Sequence, residues 1–314
     1  MSNTILAVIE LENYPELVAE RAAWLARQTG SELKLLMSES HAGPLLNSFI
    51  IIDEAAALAE ELRAMDKQGL EELRDKVRGD DLKVTTQYDQ DTSMAESILN
   101  AAHELDPQYV VKGTHYHRPS ERASMSDLDW QLIRKLSQPL WFVKPHAMSA
   151  TPTVIAAVDP THANDKPATL DQGIIDQARR FTTTDGSRLL LLHTYQRLTE
   201  IGHRAMWTMK PVKLPIDELD EKMRSEHRAL LDNLASANGI APDDVHQLPG
   251  RPNEILPTFS RTHSADLVIM GALSRSPMKR RMVGDTAQRT LDHIECDVLI
   301  IHPDDSAVTG QQAA

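Results

Sequence analysis

The chain carries a diverged second copy of itself. Setting Gly113 over Gly271, 158 residues further on, brings Tyr109-Val110-Val111 over Leu267-Val268-Ile269. The same offset lays Leu140-Trp141-Phe142-Val143 over Val298-Leu299-Ile300-Ile301, and Glu96 over Glu254. Both closing runs lead into proline, at Lys144-Pro145 and His302-Pro303. With a different loop offset, Ile5–Glu10 corresponds to Val154–Asp159. A repeat of this length points to two units of similar build. The 314 residues also amount to two domains at about 150 residues each. The expected division is a first domain over 1–146, a second over 152–304 and a polar tail over 305–314. The short stretch Pro145–Pro152, with a proline at each end, links them.

Each half alternates short apolar runs with helical periods. The predicted strands of the first half are Thr4–Ile9, Glu32–Met37, Lys83–Thr86, Tyr109–Val111 and Leu140–Val143. Those of the second are Thr153–Val158, Arg188–Leu192, Asp244–Leu248, Leu267–Met270 and Val298–Ile301. Leu58, Leu62 and Met65 recur at helical spacing, as do Met94, Ile98, Ala102 and Leu105, each set marking one face of a helix. Ile216, Leu219, Met223, Leu230 and Leu234 mark the longest helix of the second half. Gly30 stands where a helix would end in left-handed geometry. Strand–helix alternation predicts a parallel sheet covered by helices on both faces. The expected fold class is α/β: two tandem doubly wound, Rossmann-like domains, each a five-stranded parallel sheet flanked by helices.

Composition narrows the function. With 46 acidic against 33 basic residues the formal net charge is −13, a surface that repels nucleic-acid phosphates. The one basic cluster, Lys279-Arg280-Arg281, has no interleaved aromatics, so no nucleic-acid partner is expected. The longest apolar runs, such as Leu189–Leu192 and Val298–Ile301, fall far short of the roughly 20 residues of a membrane span, so no membrane partner is expected either. The opening MSNTILAVIE does not read as a secretory signal. Cys296 is the single cysteine, which fits a reducing compartment, and a cytoplasmic location is expected. It precedes an apolar strand and reads as a small buried residue. His103, His115 and His117 invite a metal reading, yet a structural site needs about four convergent ligands, so they read as polar loop residues and no metal is expected. No nucleophile elbow or lysine-bearing phosphate loop is present, and no catalytic residue is assigned. Any ATP hydrolysis would be slow.

In an open parallel sheet a ligand binds beyond the carboxyl ends of the strands where strand order reverses, here between the first and fourth strands of each half. In the second half those ends are Asp159-Pro160 and Met270-Gly271. Gly271 is followed by Ser274 and Arg275, then by Gly284-Asp285-Thr286. This stretch resembles the nucleotide-binding pattern of the universal stress protein family: Gly, two residues, Gly, nine residues, then Gly with Ser or Thr. Gly271 and Gly284 keep the family positions, whereas Ser274 replaces the middle glycine and Asp285 stands where Ser or Thr is usual. Residues 286–301 resemble the family's closing helix and strand, and Asp159 matches its acidic residue after the first strand. Glycines would let the backbone approach phosphate oxygens, and a helix start near Gly284 would favour an anion. Arg275, Lys279 and Arg280 could add charge.

The first half departs further from that pattern. Gly113 is kept, but Tyr116 and Ser126 hold the other glycine positions and Glu10 replaces the aspartate. A tyrosine there would intrude on a phosphate chain, so this half is not expected to bind nucleotide by the family's route. Asp129–Lys135 and Pro139–Lys144 are similar to the tandem E-type members.

The resemblance implies a cytoplasmic stress-response protein that binds ATP, with magnesium, or a related small ligand in its second domain, for a protein partner not identified by sequence. An interaction scaffold without ligand and a weak ATP hydrolase remain as alternatives. It also implies antiparallel pairing of Leu140–Val143 with Val298–Ile301, and a homodimer of whole chains is a further expectation. Glycines at 271 and 284 are equally explained by tight turns, and Asp159 by a helix cap. The long connections Ser38–Ile52 and Thr194–Pro215, the latter with Met206, Trp207 and Met209, are candidate covers for a ligand.

Overall fold

The computed structural model describes residues 3–39, 53–90, 92–114, 126–161, 168–197, 216–272 and 291–302. The chain divides into two compact units, Met1–Pro145 and His146–Ala314.

In the first unit β1 (Thr4–Val8), α1 (Pro15–Thr29), β2 (Glu32–Ser38), α2 (Asp53–Arg78) and β3 (Val84–Asp89) precede α3 (Met94–Leu105), β4 (Tyr109–Gly113), α4 (Asp127–Lys135) and β5 (Leu140–Val143). The strands lie in the order β3-β2-β1-β4-β5, every neighbouring pair parallel. The central strands carry long apolar runs: Ile5–Ile9 and Val110–Val111 are fully buried. Continuous apolar runs are what a parallel sheet covered on both faces demands. Punctuation residues set the helix ends. Pro15 opens α1, and Gly30, at φ 64°, closes it while donating to Ala26 and Arg27 carbonyls. Ser93 caps α3 by accepting from the Glu96 amide. Ser126 and Asp129 form a reciprocal capping box at the start of α4.

The second unit repeats the plan with β6 (Thr153–Ala157), α5 (Ala168–Arg180), β7 (Arg188–Tyr195), α6 (Ile216–Ala237), β8 (Val245–Pro249), α7 (Pro252–Thr262), β9 (Leu267–Gly271) and β10 (Asp297–Ile301). Its order is β8-β7-β6-β9-β10, again parallel throughout. In both units the first and fourth strands are therefore neighbours whose connections leave in opposite directions, which opens a crevice beyond their carboxyl ends.

The helical spacings hold, but they do not say which face docks. Leu58, Leu62 and Met65 do lie on a helix, α2, but they do not mark its docked face: Met65 is 67% exposed and Leu58 46%. The buried stripe is Ala59, Asp66, Leu70, Leu73 and Val77. In α6, likewise, Leu219 and Leu230 are exposed while Leu231 and Ala235 are buried. Both helices cover the outer side of their sheet, α2 against α1, β2 and β3, and α6 against β7 and β8. An edge position buries only a narrow stripe, so other apolar residues at helical spacing stay in solvent.

Candidate functional site

The two crevices occupy equivalent places and are built differently. In the second unit, β6 pairs with β9 so that Ala156 lies opposite Ile269. Asp159 follows the carboxyl end of β6, and Met270-Gly271 close the neighbouring β9 at the same end of the sheet. Pro160 is buried behind Asp159. The Asp159 amide donates to Asp171 Oδ1 on α5 at 3.0 Å, which ties the strand end to the helix. Its side-chain Oδ1 accepts from Thr161 Oγ1 at 2.6 Å. The carboxylate is nevertheless 36% exposed, so it can accept a hydrogen bond from a ligand hydroxyl or amine.

Beside it stands His193 of β7, almost wholly buried. Its Nδ1 lies 3.2 Å from the Val158 carbonyl and 4.0 Å from Asp159 Oδ1. Facing an acceptor, Nδ1 carries the proton, and Nε2 is left to accept from His227 Nδ1 of α6 at 2.9 Å. His227 also packs edge-on against Tyr195, ring centres 5.8 Å apart. Burial pulls the His193 pKa below the ordinary histidine value, and His227 adds to that, against opposition from the Val158 carbonyl and from Asp159 and Asp171. His193 thus works as a neutral bridge between β6, β7 and α6.

In the first unit Val8 lies opposite Lys112, and the crevice is filled from within. The fully buried Lys112 ammonium lies 2.6 Å from Glu10 Oε2 and 3.0 Å from Asp129 Oδ1. It also donates to the Gly113 carbonyl at 3.0 Å. The contact with Asp129 Oδ1 is ionic rather than an aligned hydrogen bond. Asn13 Nδ2 donates to Glu10 Oε2 at 3.0 Å, and the Ser126 amide donates to Asp129 Oδ2 at 2.8 Å. Three elements meet on this one cation: the end of β1, the end of β4 and the first turn of α4. Burial pulls the Lys112 pKa down, but Asp129 and Glu10 together outweigh it and hold the value above that of an ordinary lysine. Met270 occupies the corresponding position of the second unit.

The strand-end glycines answer to packing. A Cβ on Gly113 would sit 2.6 Å from the Asn13 carbonyl oxygen and 3.1 Å from Val18 Cγ2. One on Gly271 would meet Leu170 Cδ2 of α5 at 2.7 Å. Each glycine lets a neighbouring segment pass close to the sheet, which accounts for both without a ligand.

Of the residues expected from sequence, Asp159, Pro160, Met270 and Gly271 are brought together in the second unit, and Glu10, Gly113 and Ser126 in the first. Ser274, Arg275, Gly284, Asp285, Thr286 and Tyr116 lie outside the described residues, as do Lys279–Arg281, His115 and His117. Most of the two long connections, residues 40–52 and 198–215, also lies outside them. Among the described residues no cluster of His, Cys, Asp and Glu could hold a metal, and Cys296 is buried. Sequence reasoning passed over Lys112, Asp129, His193 and His227. The signal was available for two of them: Lys112 and His193 are polar residues inside otherwise apolar central strands, where burial demands a partner.

The universal stress protein family model matches residues 1–144 and again 154–302. The chain belongs to the universal stress protein family. It is a tandem member, a stress-response protein with one family domain in each half. Universal stress protein E of Escherichia coli K12 is 21% identical over 315 residues, covering 97% of this chain and 95% of its own length. The Universal stress protein E homolog of Haemophilus influenzae is 22% identical, covering 95% and 97%. Among solved structures, a universal stress protein from Pseudomonas aeruginosa UCBPP-PA14 superposes with a TM-score of 0.71 at 21% identity, covering 99% of this chain and 97% of its own. One from Archaeoglobus fulgidus does so with a TM-score of 0.62 at 16% identity, covering 96% and 97%. These likenesses support the E-type tandem fold over the full length. Among the described residues no helix is long and apolar enough to cross a membrane.

Proposed function

We propose that the second unit binds an adenine nucleotide, ATP with its magnesium, or a related small anionic ligand, as a regulatory signal in the cytoplasm. The observation that supports this reading is the contrast between the two crevices. The first holds its own cation, Lys112, clamped by Glu10 and Asp129. The second carries Met270 in that place and leaves the Asp159 carboxylate partly exposed at the strand end. Asp159 would accept from the sugar hydroxyls, while Ser274, Arg275 and Gly284-Asp285-Thr286 would face the phosphates and metal. Nucleotide binding would alter the surface offered to a protein partner. Turnover, if any, would be slow, because the sequence supplies no phosphate-loop lysine.

Titration calorimetry with Mg-ATP tests the reading. The expected result is saturable binding that Asp159→Ala weakens at least about tenfold, the effect of losing a charge-assisted hydrogen bond. Binding unchanged by that substitution, or no heat at millimolar nucleotide, would overturn it. A second reading, a scaffold that takes no ligand, is favoured by one observation: the contact with Leu170 explains Gly271 without a phosphate. For the same reason Gly271→Val is a poor probe of binding, since it disturbs α5 packing whether or not a ligand is present.

A further inference from the structure

The second unit has another cavity, of about 710 Å³, on the outer side of the sheet beyond the ends of β7 and β8. Its walls come from β7, β8 and α6, and none of Asp159, Pro160, Met270 or Gly271 reaches it. Among the described residues three arginines line it: Arg197 just past β7, and Arg224 and Arg228, one helical turn apart on α6. Two carboxylates among the described residues, Glu221 and Asp232, accompany them, and they are unequally engaged. Asp232 is committed to Arg228, taking both its Nε at 3.0 Å and its Nη2 at 2.8 Å. Glu221 reaches Arg224 through a single contact of 3.4 Å, with both side chains largely exposed. Arg197 has no carboxylate within ion-pair distance among the described residues. The described lining of the cavity therefore holds a surplus of guanidinium charge on a protein whose formal net charge is −13. A local excess of cation on an acidic chain concentrates small anions where the rest of the surface repels them.

We propose that this cavity is a second ligand site, one that takes a phosphorylated small molecule. Arg197 and Arg224 grip the phosphate. Guanidinium forks match phosphate oxygens two at a time, and among the described residues these two lack a competing bidentate carboxylate. Arg228, fixed by Asp232 and by the Val245 carbonyl at 3.4 Å, supplies a rigid third charge. The volume exceeds what a phosphate group fills and lies in the range of small-molecule sites. The ring of Tyr195 and Pro249 offer an apolar wall for the rest of the ligand. The site stands apart from the crevice beyond β6 and β9, and the proposal does not rest on nucleotide binding there.

The test is calorimetric titration of the full chain with inorganic pyrophosphate, and separately with citrate as a polycarboxylate of comparable charge. The expected result is saturable pyrophosphate binding, one per chain. It should be at least about tenfold weaker in Arg224→Gln and weaker again in Arg197→Ala/Arg224→Gln. Asp159→Ala should leave it unchanged. Because Arg224 is 61% exposed in its side chain, Arg224→Gln should keep the parent's thermal midpoint, which separates lost binding from lost fold. No pyrophosphate binding, binding indifferent to both arginine variants, or binding abolished by Asp159→Ala would each overturn the proposal. Citrate bound in preference to pyrophosphate would overturn the phosphate assignment.

Discussion

Lys112→Met should destabilise the first unit by about 3–5 kcal/mol, the loss expected when one partner of a buried ion pair is removed. The upper half of that range applies, because the substitution leaves two carboxylates behind. Asp129 is fully buried, and among the described residues its Oδ1 faces only the ammonium. Glu10 keeps the amide of Asn13. Methionine suits the position sterically, as it stands at the equivalent Met270, so the loss is electrostatic rather than a cavity. Adding Glu10→Gln and Asp129→Asn removes the stranded charges and should recover most of the loss, since buried ion sets exchanged for neutral groups of similar shape are often close to neutral in stability. Urea unfolding followed by tryptophan emission is the assay. Trp24, Trp130 and Trp141, three of the chain's four tryptophans, lie in the first unit. Trp24 and Trp141 pack edge to face there, ring centres 6.2 Å apart. The pH dependence follows in sign. Lys112 holds its proton more tightly folded than unfolded. Its contribution is thus complete below the ordinary lysine value of 10.5 and is lost only as pH rises through the higher folded value. A single substitution costing under about 1 kcal/mol, the scale of a surface pair, would refute the reasoning. So would a triple variant less stable than the single one.

The strand-end glycines should differ in tolerance. Gly113→Ala meets a backbone oxygen that cannot move aside and should cost about 1–3 kcal/mol, in the range of overpacking, read as a shift in the urea midpoint. Gly271→Ala meets the tip of Leu170, which can turn away, and should cost less; equal costs would contradict the packing account. Acid should weaken the second unit. Burial lowers the pKa of His193, and burial with His263 lowers that of His246. The unfolded chain then binds protons first, and stability falls as pH drops below the ordinary histidine value of 6.5. His193 faces Asp159, Asp171 and His227, while His246 faces His263, Asp244, Arg188 and Arg228. His193→Gln should flatten the slope of thermal midpoint against pH between about 6.5 and 5, and an unchanged slope would remove His193 from that role.

Much of the fold is written in single runs of residues. Tyr109–Val111 and Leu267–Ile269 are apolar without interruption because a central parallel strand has no solvent face. The duplicated pattern around Gly113 and Gly271 located both crevices. Which residues fill them was not legible, because that depends on partners distant in the chain. Lys112 finds Glu10 across paired strands and Asp129 at the start of the next helix, and His193 finds His227 on α6. A charged or imidazole side chain in an apolar run announces that a partner exists without saying which one. Which face of a helix docks was hidden for a related reason. Leu58 and Met65 keep helical spacing, but how much of α2 the edge of a sheet covers is fixed by neighbours that periodicity does not encode.

The central claim is that one crevice is open to nucleotide and the other is closed by its own lysine. Native mass spectrometry of the full chain in Mg-ATP, with Asp159→Ala and Glu10→Gln alongside, tests it most directly. The account predicts one nucleotide per chain, lost in Asp159→Ala and retained in Glu10→Gln. No bound nucleotide, or loss in Glu10→Gln with retention in Asp159→Ala, would contradict it.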